Sequence, residues 1–171
     1  MNILILNDDG IAAEGIRTLA RHLAQRHTVT IAAPMHQQSG TSHALTIGRA
    51  IEVRADERFD ETYDIRAWAI DGTPTDCAKL YLDAIAKDMP DVVLSGINHG
   101  SNLGDDTLYS GTVAAATEAY LMGIPAIAFS LNDSRGRYWK TAEKSVWILL
   151  EYLLKNPPKE PILWNINIPA V

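Results

Sequence analysis

The fold is decided by residues 2–34, which read NILILNDDGIAAEGIRTLARHLAQRHTVTIAAP. Residues 2–6 form an apolar run that ends in the turn-forming sequence NDDG, which is typical of a strand buried on both faces. Residues 28–33 predict a second strand, closed by Pro34. Between them, apolar side chains recur at the spacing of an amphipathic helix: Ile16, Leu19, Ala20 and Leu23. This βαβ unit predicts a parallel sheet with a right-handed crossover.

Strands and helices continue to alternate along the rest of the chain. Further strands are predicted at residues 63–70, 91–94, 125–129 and 162–168. A helix begins at Thr73 and runs to about Lys87, with Thr73 as N-cap, Pro74 in the first position and Asp76 in the capping box. Two more helices are marked by apolar stripes: Val113, Ala116 and Tyr120, ending at Gly123, and then Ala142, Val146, Leu149, Leu150 and Leu153.

Two segments interrupt this alternation. Residues 44–55 alternate polar and apolar side chains on either side of Gly48, which predicts a hairpin or an extended arm. Residues 95–110 form a long, polar, glycine-rich loop, and loops of that length are often functional. We therefore predict one domain over residues 1–171. Its fold class is α/β, a three-layer αβα Rossmann-like arrangement with a mostly parallel sheet and a β-hairpin excursion.

Composition restricts the classes of function. The net charge of -6 argues against polynucleotide binding, which usually needs a basic surface. Cys77 is the only cysteine, so no intrachain disulfide is possible, as in proteins of a reducing compartment. The first residues contain no cationic segment of a signal peptide, and the apolar region 113–131 is broken by Glu118, Gly123 and Pro125. A cytoplasmic protein without membrane or polynucleotide partners is predicted.

Two adjacent carboxylates, Asp8 and Asp9, follow the first strand directly. In parallel α/β sheets, ligands bind beyond the carboxyl ends of the strands. Two carboxylates at that edge repel each other, and a divalent cation would relieve the repulsion. The sequence NDDG is also a good turn, so these residues alone leave a metal site and a plain turn equally open.

Further polar residues follow the second and fourth strands. The loop with Ser39, Gly40 and Thr41 offers hydroxyls, amides and a flexible backbone, although such loops are more often simply solvated. Asn98 can supply a neutral oxygen to a hard cation, and Asn102 can donate to a phosphate oxygen. The length of their loop argues against an ordinary connection.

The sequence Ser110-Gly111-Thr112 opens a helix. Ser110 is a good N-cap, which is a structural role. The same geometry also presents free N–H groups and the positive end of the helix dipole to a phosphate, while the hydroxyls of Ser110 and Thr112 add donors. An acidic protein that binds an anion needs such a neutral cradle, and the two roles are compatible.

Together these segments resemble the SurE family, the stationary-phase survival proteins that are metal-dependent nucleotidases. The matching stretches are NDDG at 7–10, QQSGTSHALT at 37–46, DGTPTDC at 71–77, SGINHGSNLGDDTLYSGTVAAATEA at 95–119 and GIPAIAFSL at 123–131. The resemblance implies a phosphatase that releases phosphate from nucleoside 5′- and 3′-monophosphates, with some action on short polyphosphate. It also implies one Mg²⁺ or Mn²⁺ per subunit.

The resemblance assigns roles to residues of this sequence. The implied metal ligands are Asp8, Asp9, Ser39 and Asn98, of which the first two and Asn98 are also the implied catalytic residues. The implied substrate or phosphate-binding residues are Gly40, Thr41, Asn102, Ser110, Gly111 and Thr112. Family members continue for several dozen residues beyond the segment resembling residues 163–169, into an arm exchanged between subunits. A homodimer or homotetramer is therefore implied for the full-length form, and residues 1–171 are expected to lack that arm.

Other classes of protein explain the sequence less well. A non-enzymatic receiver-like signalling domain also binds magnesium through an acidic pair after its first strand, but it needs a lysine after a late strand, where this chain has Phe129-Ser130-Leu131. A dinucleotide-binding dehydrogenase needs GxGxxG after the first strand, which is missing here. A haloacid-dehalogenase-type phosphatase needs DxD rather than Asp8-Asp9.

Overall fold

The structure is a computed structural model that describes residues 1–59, 63–133 and 135–171. Seven strands form one sheet in the order β3-β4-β2-β1-β5-β6-β7. Their bounds are β1 Asn2–Leu6, β2 Thr28–Pro34, β3 Val53–Ala55, β4 Arg66–Ile70, β5 Val92–His99, β6 Ala126–Leu131 and β7 Leu163–Ile168. All neighbouring strands pair in parallel except β3 and β4. The predicted α/β class with a mostly parallel sheet is confirmed.

Helices cover both faces of the sheet and complete the three layers. They are α1 Glu14–Ala24, α2 Pro74–Leu80, α3 Gly111–Leu121 and α4 Trp139–Lys155. The apolar sides of α1 and α4 pack into one core, which holds Ile16 and Val146, and those of α2 and α3 pack into a second core, which holds Cys77 and Ala115. No helix in the described part of the chain has the length and apolar character needed to cross a membrane.

The predicted start of α2 is confirmed in detail. The Thr73 hydroxyl accepts a hydrogen bond from the Asp76 N–H, and the Asp76 carboxylate accepts one from the Thr73 N–H. This reciprocal box stabilises the first turn by satisfying two N–H groups that have no partner inside the helix. The helix was predicted to continue to about Lys87. It instead changes after Leu80 into a π-helical turn, Tyr81–Ile85, and ends there.

Two segments differ from their predicted structure. Residues 44–55 do not fold back on themselves around Gly48; only Val53–Ala55 is a strand, and its antiparallel partner is β4. The fourth predicted strand, at 91–94, was too short, because β5 continues to His99. Residues 95–97 are buried and β5 pairs with β6 to its end, with a register shift between Ser95 and Asn98. The predicted loop therefore begins after His99, and Gly104–Leu108 forms a 3₁₀ turn within it.

Candidate active site at the carboxyl edge of the sheet

The candidate site lies where the three central strands, β2, β1 and β5, end. Because these strands are parallel neighbours, their carboxyl ends meet at one edge. Asp8 and Asp9 follow β1, the loop with Ser39 follows β2, and Asn98 is the penultimate residue of β5. The four predicted metal-binding residues therefore come from three adjacent strand ends.

Asp8 is buried against the start of α3. Only 5% of its surface is exposed, and its Oδ1 accepts a hydrogen bond from the Thr112 hydroxyl. Burial, together with the neighbouring charge of Asp9, raises the pKa of Asp8 to about 6, although the Thr112 hydrogen bond acts in the opposite direction. In the absence of a cation the negative charge of Asp8 is therefore unfavourable.

Asp9 connects β1 with the other two strand ends. Its Oδ2 accepts a hydrogen bond from the His99 backbone N–H at 3.2 Å, and its Oδ1 accepts one from the Gln37 amide at 3.4 Å. Burial raises the pKa of Asp9 above its ordinary value, and the bond from His99 reduces that rise. Asp9 is thus held between β5 and the loop after β2.

Ser39 and Asn98 have the polar atoms that a cation site would need. The Gln37 amide that contacts Asp9 also donates to the Ser39 hydroxyl at 2.9 Å, so one side chain links the two predicted ligands. Asn98 uses its Nδ2 for hydrogen bonds to the carbonyls of His99 at 3.3 Å and Gly100 at 2.9 Å. Its Oδ1 is therefore the atom that could bind a cation.

The start of α3, formed by Ser110, Gly111 and Thr112, lies against the carboxylate of Asp8. Ser110 is the N-cap of α3, and its hydroxyl accepts a hydrogen bond from the Val113 N–H at 3.2 Å. A Cβ on Gly111 would come within 2.8 Å of the Asp8 Cβ, so the first turn of α3 lies directly against Asp8. The Thr112 hydroxyl, which we expected to donate to a phosphate, donates to Asp8 instead.

The structure places the remaining predicted residues around this centre. Gly40 and Thr41 lie in the loop after β2, where the Thr41 hydroxyl donates to the Gln38 carbonyl at 2.9 Å. Asn102 is buried, and its Nδ2 donates to the Ser130 hydroxyl at 2.9 Å while its backbone N–H donates to the Asn167 side chain at 2.8 Å. The predicted donation from Asn102 to phosphate would have to use the second hydrogen of that amide.

The loop after β2 is anchored to α2, to α3 and to the chain before α3. The Ser42 N–H donates to the Tyr109 carbonyl at 3.1 Å, and His43 contacts Glu118 of α3 at 2.9 Å. Thr46 donates to the Asp76 carboxylate through both its N–H and its hydroxyl. These contacts fix the loop that carries Ser39, Gly40 and Thr41 relative to the helix start.

Sequence reasoning missed Gln37 and His99 as residues that organise the site. Gln37 precedes Ser39 in the polar loop after the second strand, and His99 lies in the segment 95–110 that was predicted to be a loop. Their contacts with Asp9 join residues 28 and 90 positions apart in the chain. No local pattern predicts such contacts, because they depend on how the strand ends meet.

The residues at this edge fit a hard divalent cation. Asp8 and Asp9 make no ion pair with a lysine or arginine among residues 1–59, 63–133 and 135–171. Two adjacent carboxylates of raised pKa, without a basic partner and next to hydroxyl and amide oxygens, match the oxygen ligands that Mg²⁺ and Mn²⁺ prefer.

The chain is similar to known proteins over its whole length. The model of a family described as survival protein SurE matches residues 3–171. The chain is 55% identical over 172 residues to 5′-nucleotidase SurE of Neisseria meningitidis serogroup C, which covers 100% of this chain and 66% of that protein. It is 49% identical over 172 residues to 5′-nucleotidase SurE of a Nostoc species, which covers 100% of this chain and 64% of that protein.

A solved structure has the same fold. The crystal structure of SurE protein from Aquifex aeolicus matches with a TM-score of 0.86 and 36% sequence identity, over 100% of this chain and 67% of that one. The chain spans 64 to 66% of the length of the curated relatives it matches.

Proposed function

Since the chain belongs to the SurE family, we propose that it is a metal-dependent phosphatase that releases phosphate from nucleoside 5′- and 3′-monophosphates, and also acts on short polyphosphate. The observation that carries this proposal is the contact between Asp8 and the start of α3, made by the Thr112 hydroxyl and by the close approach of Gly111. It joins a carboxylate suited to a cation with a helix start suited to a phosphate.

The cation is assigned to Asp8, Asp9, Ser39 and Asn98, and is Mg²⁺ or Mn²⁺. When bound, it would neutralise charge on the phosphoryl group and lower the pKa of a bound water. The protein supplies the oxygen atoms and holds them in place, through Thr112 for Asp8 and through His99 and Gln37 for Asp9. These fixed positions reduce the reorganisation needed during the reaction.

The phosphate is assigned to the first turn of α3. Backbone N–H groups at a helix start that lack partners within the helix attract anions, and the helix dipole adds to the attraction. Ser110 caps Val113. The N–H groups of Gly111 and Thr112 therefore remain for a phosphoryl oxygen. Gly40, Thr41 and Asn102 are assigned to the surrounding contacts with substrate.

The nucleoside is assigned to a hollow next to the acidic turn. A cavity of about 400 Å³ is lined by Ile11, Met35 and His36, among others. Two of its lining residues, Ile11 and His36, lie next to Gly10, where an added Cβ would come within 3.3 Å of the His36 backbone. A volume in this range holds a group of nucleoside size.

We propose direct attack by water on phosphorus. Among the described residues of the candidate site, the aspartates are the only credible covalent nucleophiles, because no general base is assigned to the serine and threonine hydroxyls, and the aspartates are assigned to the cation. Asp8 or Asp9 orients the water and accepts its proton while the new oxygen–phosphorus bond forms. The bond to the nucleoside oxygen breaks, that oxygen takes up a proton from solvent water, and the aspartate afterwards returns its proton to solvent. Asn98, Asn102 and the N–H groups near Gly111 share the charge that develops on the phosphoryl oxygens.

A phosphate-release assay tests the proposed function. The protein is incubated with adenosine 5′-monophosphate or adenosine 3′-monophosphate, with Mg²⁺ or Mn²⁺ and then with excess chelator. We expect release that stops with chelator and returns when the metal is restored. Equal release with and without chelator would contradict metal dependence, and no release from either nucleotide would contradict the assigned substrate class.

Direct attack predicts inversion of configuration at phosphorus. A substrate made chiral at phosphorus with oxygen isotopes is hydrolysed in isotopically labelled water, and the configuration of the phosphate is read by phosphorus NMR. A single in-line displacement inverts the centre, whereas two successive displacements retain it. Retention, or a trapped phosphoaspartate, would disprove the mechanism without disproving the nucleotidase activity.

Metal binding is predicted to weaken at acid pH. The pKa of Asp8 is raised from 3.8 to about 6 in the metal-free site, so below that pH a proton must leave before a cation binds. Between pH 7 and pH 5 the affinity for Mn²⁺ should fall about tenfold through this group. Calorimetric titration at the two pH values measures it.

The same raised pKa determines how the stability of the metal-free protein changes with pH. The folded state holds the Asp8 proton more tightly than the unfolded state. The stabilising contribution of this group is therefore complete below pH 3.8 and is lost as the pH rises through about 6.

The variant Asp8→Asn tests the predicted pH dependence of metal binding. In this variant the part of the pH dependence of Mn²⁺ affinity that is due to Asp8 should disappear, and an unchanged profile would contradict the assignment.

We further propose a cytoplasmic location and, for the full-length form, a homodimer or homotetramer. Support for the location is the single cysteine, Cys77, which is buried and free, as expected in a reducing compartment. Support for the oligomer is membership of the SurE family, for which the resemblance implies an arm exchanged between subunits. Light scattering measures the oligomeric state of the full-length form, and a monomer at high concentration would contradict the proposal.

A further inference from the structure

A second cavity lies at the edge of the sheet opposite the candidate active site. Its volume is about 470 Å³, and it is lined by the first residues of β1, β2 and β4 and by the chain around the end of the π-helical turn. Asp8, Asp9 and the start of α3 lie beyond the carboxyl ends of the strands, whereas this cavity lies at their amino ends. None of the residues assigned to catalysis lines it.

The strand register explains why this part of the sheet is polar. On the face covered by α2, Leu4 pairs with Thr30 and Thr30 pairs with Arg66. Thr28 lies two residues before Thr30 in β2 and therefore on the same face. Two residues further along β2 and β4, the same face carries Ala32 and Trp68. The helical segment that begins with α2 ends at Ile85, and the polar row remains open beside it.

Two cations line the cavity without partners. Arg66 and Lys87 are both exposed, and neither side chain makes an ion pair or a hydrogen bond with any residue in the described ranges. Asp88 also lines the cavity, so the side chains there carry a net charge of +1. In a protein of net charge -6, this is a local excess of positive charge, which favours an anion.

Two aromatic side chains provide a surface for a planar ring. Trp68 and Tyr81 line the same cavity, and each is only half-buried. Aromatic faces that are partly exposed beside cations stack with heterocycles, and the guanidinium of Arg66 matches the oxygens of a phosphate. Thr28 and Thr30 add hydroxyls that can donate to or accept from the rest of a ligand.

We propose that this cavity is a second ligand site, which binds a phosphorylated molecule with a planar ring, of the nucleoside phosphate class. Arg66 and Lys87 bind the phosphate, and the ring stacks on Trp68 or Tyr81. The volume is in the range of cavities that bind small molecules and holds one nucleoside monophosphate. The proposal does not depend on the proposed hydrolysis, because it uses neither the acidic pair nor α3.

The experiment observes Trp68 directly. Adenosine 5′-monophosphate is titrated into Asp9→Asn protein in the presence of chelator, so that no hydrolysis occurs. The indole N–H signals are followed by NMR, and the Trp68 signal is assigned by its loss in Trp68→Phe. We expect a saturable shift of the Trp68 signal. Arg66→Ala alters an exposed side chain, and the affinity measured from that signal should fall by about tenfold or more.

Matched controls separate charge, ring and location. Lys140→Ala removes an exposed cation on α4 and should leave the affinity unchanged, whereas Lys87→Ala should weaken it. Inorganic phosphate and adenosine, titrated separately, should each bind about tenfold more weakly than the complete nucleotide. A Trp68 signal that does not respond to the nucleotide, or an affinity unchanged in Arg66→Ala, would overturn the proposal.

Discussion

Replacement of Asp9 by asparagine is expected to reduce phosphate release by about a hundredfold or more. The substitution keeps the size of the side chain and an oxygen that can accept the hydrogen bond from the His99 N–H. It removes the negative charge that the cation requires and the carboxylate that could accept a proton from water. The turnover number with adenosine 5′-monophosphate and calorimetric binding of Mn²⁺ measure the two consequences.

The fold of Asp9→Asn should remain intact. Burial raises the pKa of Asp9, so the charge is unfavourable in the metal-free protein, and its removal should not lower the unfolding temperature in chelator. Asp83→Asn is the matched control, since it removes an exposed carboxylate on the π-helical turn, away from the carboxyl ends of the strands. Undiminished activity or Mn²⁺ affinity in Asp9→Asn would contradict the metal site.

Local signals in the sequence predicted local structure well. The start of α2 was predicted to the residue, because Thr73, Pro74 and Asp76 cap a helix through contacts within one turn. The first strand and its turn were equally clear, since residues 2–6 are apolar and NDDG stops the run. Such features depend on interactions between residues that are close in the chain, so they can be predicted from the sequence alone.

Structure that depends on distant partners was predicted less well. The sequence SGINHG after Leu94 has the composition of a loop, yet it continues β5 because β6 pairs with it to the last residue. Residues 44–55 alternate as in a hairpin, but their strand pairs with β4 rather than with a second strand inside the segment. Pairing across the sheet decided both outcomes, and a single sequence does not show which strands will be neighbours.

The same distinction applies to the candidate site. The rule that ligands bind beyond the carboxyl ends of parallel strands was sufficient to place Asp8, Asp9 and Asn98 at one edge. It could not predict that the Thr112 hydroxyl, 104 positions away, would bind Asp8. That contact changes the role assigned to Thr112. Its side chain positions a proposed metal ligand, and its backbone N–H can still donate to phosphate.

Replacement of Gly111 by alanine is expected to damage the site strongly through a single added methyl group. The added Cβ would lie 2.8 Å from the Asp8 Cβ and 2.8 Å from the Pro74 side chain, and both neighbours belong to short, constrained side chains. Either Asp8 or the first turn of α3 must therefore move. A displacement of about 1 Å at a catalytic group can cost about a hundredfold in rate, and overpacking costs about 1–3 kcal/mol of stability.

Thr117→Ala is the control for this change, because it removes a small side-chain group from the same helix, one to two turns beyond Thr112, where the hydroxyl only donates to the Val113 carbonyl. The turnover number, the affinity for Mn²⁺ and the unfolding temperature are measured for both variants. If the methyl group displaces Asp8, activity and Mn²⁺ affinity fall together in Gly111→Ala and stay near the wild-type values in Thr117→Ala. If activity falls while Mn²⁺ affinity is preserved, the helix start has moved and the phosphate cradle alone is damaged. Wild-type activity in Gly111→Ala would show that the contact between α3 and Asp8 is not needed for the reaction, and the observation that carries the proposed function would fail.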